Sequence, residues 1–144
     1  MAYASTWRNT HRLRLQRLAA TPGAAIRVFL PDPSDRKTVE VLADRFSMDV
    51  DMLTGKINEA ITEFRSLARP GGGGVEVYVR RGDAVFSCYR FDGKAVLTLY
   101  SHSRERQTSV PTLVMEGGDL FKFVRNEIDA IAAQSQRAPE GQGK

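Results

Sequence analysis

Apolar positions recur every three or four residues between Ser5 and Ala19, where Trp7, His11, Leu15 and Leu18 mark one face. That spacing predicts a helix capped by Ser5 or Thr6, with the arginines on its opposite face. Thr21-Pro22-Gly23 stops it, and the pattern changes. Residues Ala24–Leu30, AAIRVFL, form a short β-rich apolar run of the kind buried on both faces of a parallel sheet. The turn PDPSD follows, because proline cannot continue a ladder, and Ser34 or Asp35 can cap a helix starting near Arg36. Val39, Leu42 and Phe46 share one helical face, and Leu53, Ile57, Ile61, Phe64 and Leu67 define a second helix. Pro70–Gly74 reads as a flexible link into VEVYVR, Val75–Arg80. A strand, helical crossover and strand predict a right-handed parallel connection.

Beyond Arg81-Gly82-Asp83 the period becomes two. AVFSCYRF and KAVLTLY flank Asp92-Gly93, a two-residue signal for a tight hairpin. Alternation sets Val85, Ser87 and Tyr89 on one face and Phe86, Cys88 and Arg90 on the other, which makes Cys88 a small core residue. A polar loop, SHSRERQTS, leads to TLVME after Pro111. Gly117-Gly118 then precedes a helix over Asp119–Ala133 with Leu120, Phe123, Val124, Ile128 and Ile131 inward. The expected organisation is one α/β domain over residues 1–134 and a disordered tail over 135–144.

Composition narrows the class. A chain of 144 residues with 42% hydrophobic content supports one core. No apolar run reaches the roughly 20 residues of a membrane span, and MAYASTWRNTHR lacks the apolar segment of a signal peptide, so a cytoplasmic location without membrane contact is expected. Cys88 is the only cysteine, which excludes an intrachain disulfide and paired Cys/His zinc spacings. No metal or cofactor is expected. The net charge of +4 comes from 21 basic against 17 acidic residues, with Arg8, Arg12, Arg14 and Arg17 near the start. Four arginines on one helix, without an aromatic platform, predict nucleic-acid binding that is weak and salt-sensitive at most. The glycine run is no phosphate loop, since no Lys-Ser or Lys-Thr follows it and a strand comes next.

The order of helix, strand ending in LPDPSD, helical crossover, VEVYVR, hairpin about Phe91-Asp92-Gly93, PTLVM and FKFVRNEIDAI resembles the phospholipase D-like half-domains of bacterial regulatory and defence proteins. The resemblance implies a three-layer half-domain, a mixed sheet with a hairpin in its C-terminal half and flanking helices. Active members carry His-x-Lys, four residues and Asp on such a hairpin. Asp92-Gly93 fits the end of that motif, while Val85 and Ser87 stand at the His and Lys positions. Valine removes the nucleophile and serine the cation that stabilises phosphate charge, so a pseudoenzyme is expected. The Gly-Ser-x-x-Asn continuation is also replaced, by Leu99, Tyr100, Ser101, His102 and Ser103. Before the first helix the family has a full strand where this chain offers only MAYAS. Either that strand is very short or a partner supplies it, which implies a homodimer or partner protein at the N-terminal sheet edge, with Trp7 close to the contact.

Ligands of parallel sheets sit beyond the strands' carboxyl ends, beside helix N-termini that favour anions. The candidate site for a small anionic ligand is therefore Asp32, Ser34, Tyr89, Arg90 and Asp92, with His102 in a polar loop rich in Ser and Arg. The function that follows is a non-catalytic sensing, binding or assembly module. Two alternatives stand beside it: a divergent phosphodiesterase or nuclease with a site across a dimer interface, and a weak nucleic-acid-binding protein.

Overall fold

The computed structural model describes residues 5–101 and 110–139. Along them run α1 (Ser5–Ala20), β1 (Ala25–Pro31), α2 (Arg36–Arg45), α3 (Val50–Arg65), β2 (Gly74–Arg80), β3 (Phe86–Phe91), β4 (Lys94–Leu99), β5 (Thr112–Glu116), α4 (Gly118–Ala133) and β6 (Gln136–Arg137). The described residues are mixed α/β, with four helices and two three-stranded sheets, ordered β1-β2-β6 and β3-β4-β5. No helix among the described residues is long and apolar enough to cross a membrane.

The first sheet grows from the predicted crossover. β1 and β2 pair in parallel with Val28 opposite Val77 and Leu30 opposite Val79. Ile26, Val28 and Leu30 turn one way and meet Val39 and Leu42 of α2 and Leu53, Ile57, Ile61 and Phe64 of α3. Local signals set the helix boundaries. Asp35 caps α2, Ser47 reverses the chain at φ 48°, and Asp49 caps α3 by accepting from the N–H groups of Asp51 at 2.8 Å and Met52 at 3.1 Å. The second face of β1 is covered only toward its C-terminal end, where Phe29 is half-buried and Pro31 buried while Ala25 and Arg27 are exposed, so the expectation of burial on both faces along the whole run is corrected.

Within residues 70–74, Gly72 and Gly73 are closely packed and do not act as a free link. A Cβ on Gly72 would lie 2.3 Å from the Ala19 carbonyl oxygen, and one on Gly73 would lie 2.7 Å from that of Ala24. Glycine lets the chain pass so close that the Gly73 N–H donates to the Ala19 carbonyl at the end of α1, at 2.8 Å. On α1 itself Arg8 turns inward: it pairs with Glu63 and lies over the Phe64 ring, and it leaves Arg12, Arg14 and Arg17 on the surface. Leu18, expected inward, is exposed, and Ala19 is buried in its place.

The second sheet is the predicted hairpin with β5 added. Phe91 pairs with Lys94 across Asp92-Gly93, and β5 joins β4 with Val114 opposite Val96. Its core is Ala95, Leu97, Met115 and Val124, flanked by Phe86, Cys88, Phe121 and Ile128. Leu120 and Phe123 of α4, expected inward, are exposed, with Phe121 facing the sheet beside Val124. Helices lie on both sides of the strands. Trp7 of α1 stacks on Tyr89 on one side of β3, while Phe121 and Ile128 of α4 pack on the side of Phe86 and Cys88.

Two further expectations are corrected. The strands do not merge into one mixed sheet, because the 81–85 connection is tied to α2: Gly82 N–H donates to Thr38 Oγ1 at 2.7 Å, and Arg45 holds the Asp83 carboxylate at 2.5 and 2.6 Å. The chain therefore leaves β2 without laying β3 beside β1. Gln136 and Arg137, placed by sequence in a disordered tail, pair with Val79 and Tyr78 as β6, and Ala138 is buried in the first core. Arg137 also pairs with Glu76 and lies over the Tyr78 ring, which gives this polar stretch an anchor that apolar periodicity does not signal.

Candidate functional site

The carboxyl end of β1 satisfies itself. Asp32 is 2% exposed, and its Oδ1 accepts from Ser34 N–H at 2.9 Å and Ser34 Oγ at 2.6 Å, closing an Asx turn. Asp35 accepts from Thr38 N–H at 3.3 Å and from the Thr38 hydroxyl. The positive end of α2 is thus neutralised by the chain's own carboxylates, and an approaching anion would meet two of them. Asp32 Oδ2 is buried without a hydrogen bond, with Arg81 Nε 3.8 Å away. This end suits a donor better than an anion.

The residues of the β3 hairpin point apart. Tyr89 stacks on Trp7 with ring centroids 4.4 Å apart and an interplanar angle of 22°. Burial first, then Tyr100 and Cys88, push its phenol up to about 12. Arg90 faces the other way, beneath α4. Asp92 is exposed at the tip, where it takes the turn's positive φ of 47°. His102 lies outside the described residues. Of the six sequence-predicted residues, Asp32 and Ser34 meet each other, while Tyr89, Arg90 and Asp92 occupy three separate surroundings.

A site that the sequence does not announce lies between the sheets. A cleft of about 200 Å³ is lined by β1 from Arg27 to Pro31, by Phe86, Cys88 and Arg90 of β3, by Arg80 and the 82–85 connection, and by Glu127, Ile128 and Ile131 of α4. Among the described residues both strands present unpaired edges to it. Ala24 carbonyl accepts from Gly74 N–H, and Asp32 N–H donates to Arg80 carbonyl, so the even-numbered residues of β1 bond to β2. The N–H and C=O groups of Arg27 and Phe29 and the Pro31 carbonyl then face away from β2. On β3 the two-residue turn and the bond from Tyr100 N–H to Val85 carbonyl assign the odd-numbered residues to β4. Phe86, Cys88 and Arg90 are left with free backbone groups.

The charge of the cleft is positive. Arg80 donates to the Asp83 carbonyl at 2.8 Å and reaches Gln134 Oε1 at 3.4 Å, while Arg45 neutralises the Asp83 carboxylate from the far side. Arg27, Arg90 and Glu127 have no hydrogen bond or ion pair among the described residues. Three guanidiniums and one carboxylate without an ion pair therefore line the cleft, beside the apolar side chains of Phe29, Pro31, Val85 and Ile131 and the backbone of Val28 and Leu30. Cys88 is the lining thiol, and burial pushes it up, away from the reactive thiolate. Ser87 points out of the cleft and shares a 2.7 Å hydrogen bond with the Tyr100 hydroxyl. Among the described residues no group of three or more His, Cys, Asp or Glu is placed to hold a metal. The arrangement can bind an anion by charge and shape.

A second groove of about 240 Å³ runs between α1 and α3, but Arg8 at its base is held by Glu63 and the remaining guanidiniums, Arg12 and Arg69, sit on its rim. Sequence reasoning finds Arg90 in the inter-sheet cleft and misses Arg27, Arg80 and Glu127. Arg27 alone carries a signal, a charge inside an apolar strand run. Compared with family models, curated proteins and solved structures, the chain matches none.

Proposed function

We propose that this chain is a non-catalytic binding module whose ligand is an anion with an apolar body, seated in the cleft between β1 and β3. The observation that carries the reading is that Arg27, Arg80 and Arg90 line one mostly apolar cavity, in which Glu127 is the lining carboxylate left without an ion pair among the described residues. A guanidinium, planar and always charged, gives directional, charge-assisted contacts to a carboxylate, sulfonate or phosphate. The phospholipase D-like pattern is kept as the architectural part of the proposal: a three-layer half-domain of a bacterial sensing or assembly system. Val85, at the position of the family's histidine, lends the cleft rim apolar surface. Ser87, at the position of its lysine, is turned to Tyr100. Both replacements favour binding over phosphodiester chemistry.

Titration with 8-anilinonaphthalene-1-sulfonate, an anion with an apolar body, tests the reading through dye fluorescence. The expected result is saturable one-to-one binding that weakens with salt and falls about tenfold or more in Arg90→Glu, since one charge-assisted contact becomes a repulsion. Arg14→Glu, on the exposed surface of α1, should bind like the parent chain. Equal binding by the parent and Arg90→Glu would overturn the assignment.

A further inference from the structure

The cleft lies between two strand edges that have no partner among the described residues. β1 and β3 each end a sheet, and the free backbone groups of both edges, at Arg27 and Phe29 on one side and Phe86, Cys88 and Arg90 on the other, line the same cavity. Ile128 and Ile131 of α4 form one wall across the gap, and α1 reaches both edges on the opposite side, packing Leu15 and Ala19 into the core beside β1 and stacking Trp7 on Tyr89 of β3. We infer that this gap receives one extended segment of a partner protein, paired to β1 and β3 at once and carrying an acidic side chain toward the three arginines.

Hydrogen bonding and charge both specify the occupant. An added strand between two unpaired edges has its N–H and C=O groups satisfied on both sides, the arrangement that β-augmentation uses at a single edge. Pairing β1, opposite Pro31 it must accept nothing, because proline has no N–H, while it can donate to the Pro31 carbonyl. Arg27 and Arg80 extend from the same face of the first sheet, since Arg27 pairs with Glu76 and Pro31 with Arg80, and Arg90 lies on the α4 side of β3. A glutamate or aspartate on the inserted strand would turn to that face. Its two neighbours would turn to the opposite face, where Trp7 and Tyr89 stack, so an acid flanked by apolar residues is the recognised pattern. Insertion would join β6-β2-β1 and β3-β4-β5 into one continuous sheet.

The inference rests on the reading of the cleft as an anion site, and the experiment separates the two. The probe is the capped peptide Thr-Val-Glu-Val-Thr, with its Val-Lys-Val counterpart and a backbone N-methylated version as controls, added at millimolar concentration to the full ¹⁵N-labelled chain. Amide hydrogen exchange and chemical shifts are recorded. In the free chain the amides of Arg27, Phe29, Cys88 and Arg90 should exchange fast. The glutamate peptide should slow them, and both controls and Arg90→Gln should bind about tenfold more weakly or worse. Slow exchange of these four amides in the free chain would overturn the slot. So would tight binding of the N-methylated peptide, or the absence of peptide binding alongside Arg90-dependent dye binding, and either of these leaves the anion reading intact. Loss of both peptide and dye binding sinks both.

Discussion

The two sheets are covered to very different depths. Among the described residues the first core gathers sixteen buried side chains around β1 and β2, with Leu42, Leu53 and Ile57 fully buried, whereas the second gathers four around β4. The first sheet is enclosed by a crossover whose two helices are adjacent in sequence. The second depends on one helix, α4, that leaves Leu120 and Phe123 exposed. Global stability is therefore expected to reside in the crossover unit, with the hairpin unit unfolding at lower free energy. The cleft lies on the seam between them, where one wall is rigid and the other can adjust, a common distribution of stability around binding sites.

The largest expected effect tests this asymmetry directly. Ile57→Ala should cost about 3 to 4 kcal/mol of unfolding free energy in urea, and Leu97→Ala nearer 2 kcal/mol because the thinner second core can collapse around the loss. Equal costs would break the comparison. Next in size is Gly72→Ala, which drives a Cβ into the Ala19 carbonyl and should cost about 2 kcal/mol. Gly74→Ala, with nothing within 4 Å, should change stability by less than about 0.5 kcal/mol, measured in the same way.

A smaller effect is expected at Arg8. Its partner Glu63 is half exposed, so Arg8→Met leaves no buried charge behind and keeps the stem's packing on Phe64. The change should stay within about 1 kcal/mol in thermal unfolding, and a loss several times larger would show that the α1–α3 contact depends on charge. A last effect is a titration at the seam. Tyr89 is raised from an ordinary value of 10 to about 12, so the folded chain holds this proton more tightly than the unfolded one. The associated stability is fully present below pH 10 and is lost as pH climbs through about 12. Phenolate absorbance, with Tyr89→Phe as the blank, should place the midpoint near 12, and Trp7→Ala should move it down by removing the ring that buries it.

The crossover is legible in the sequence because each of its elements carries its own evidence: PDPSD ends a strand and caps a helix, and Leu53, Ile57, Ile61 and Phe64 admit one helical face. The hairpin is equally local, set by Asp92-Gly93. The face of α4 is not, because Leu120, Phe121, Phe123 and Val124 surround its first turns with apolar side chains, and only the position of β4 selects Phe121 over Phe123. The same limit hides the cleft. Arg27, Arg90 and Glu127 are far apart in sequence and line one cleft because β1 and β3 each pair on one side only among the described residues, a property of the edges that alternation within each strand does not encode.

β6 places the end of the described chain at the start of its folding problem. As the protein is synthesised, β1, α2, α3 and β2 can assemble once residue 80 has emerged, but the far edge of β2 waits for Gln136 and Arg137, and Arg65 of α3 waits for the carbonyls of Ala138 and Pro139 that it binds. At ordinary elongation rates that interval lasts on the order of several seconds, during which a nascent strand edge is bare. A chain terminated after Gln134 would keep that edge permanently open and should be recovered mainly as aggregate, although every residue of the cleft is already present in it.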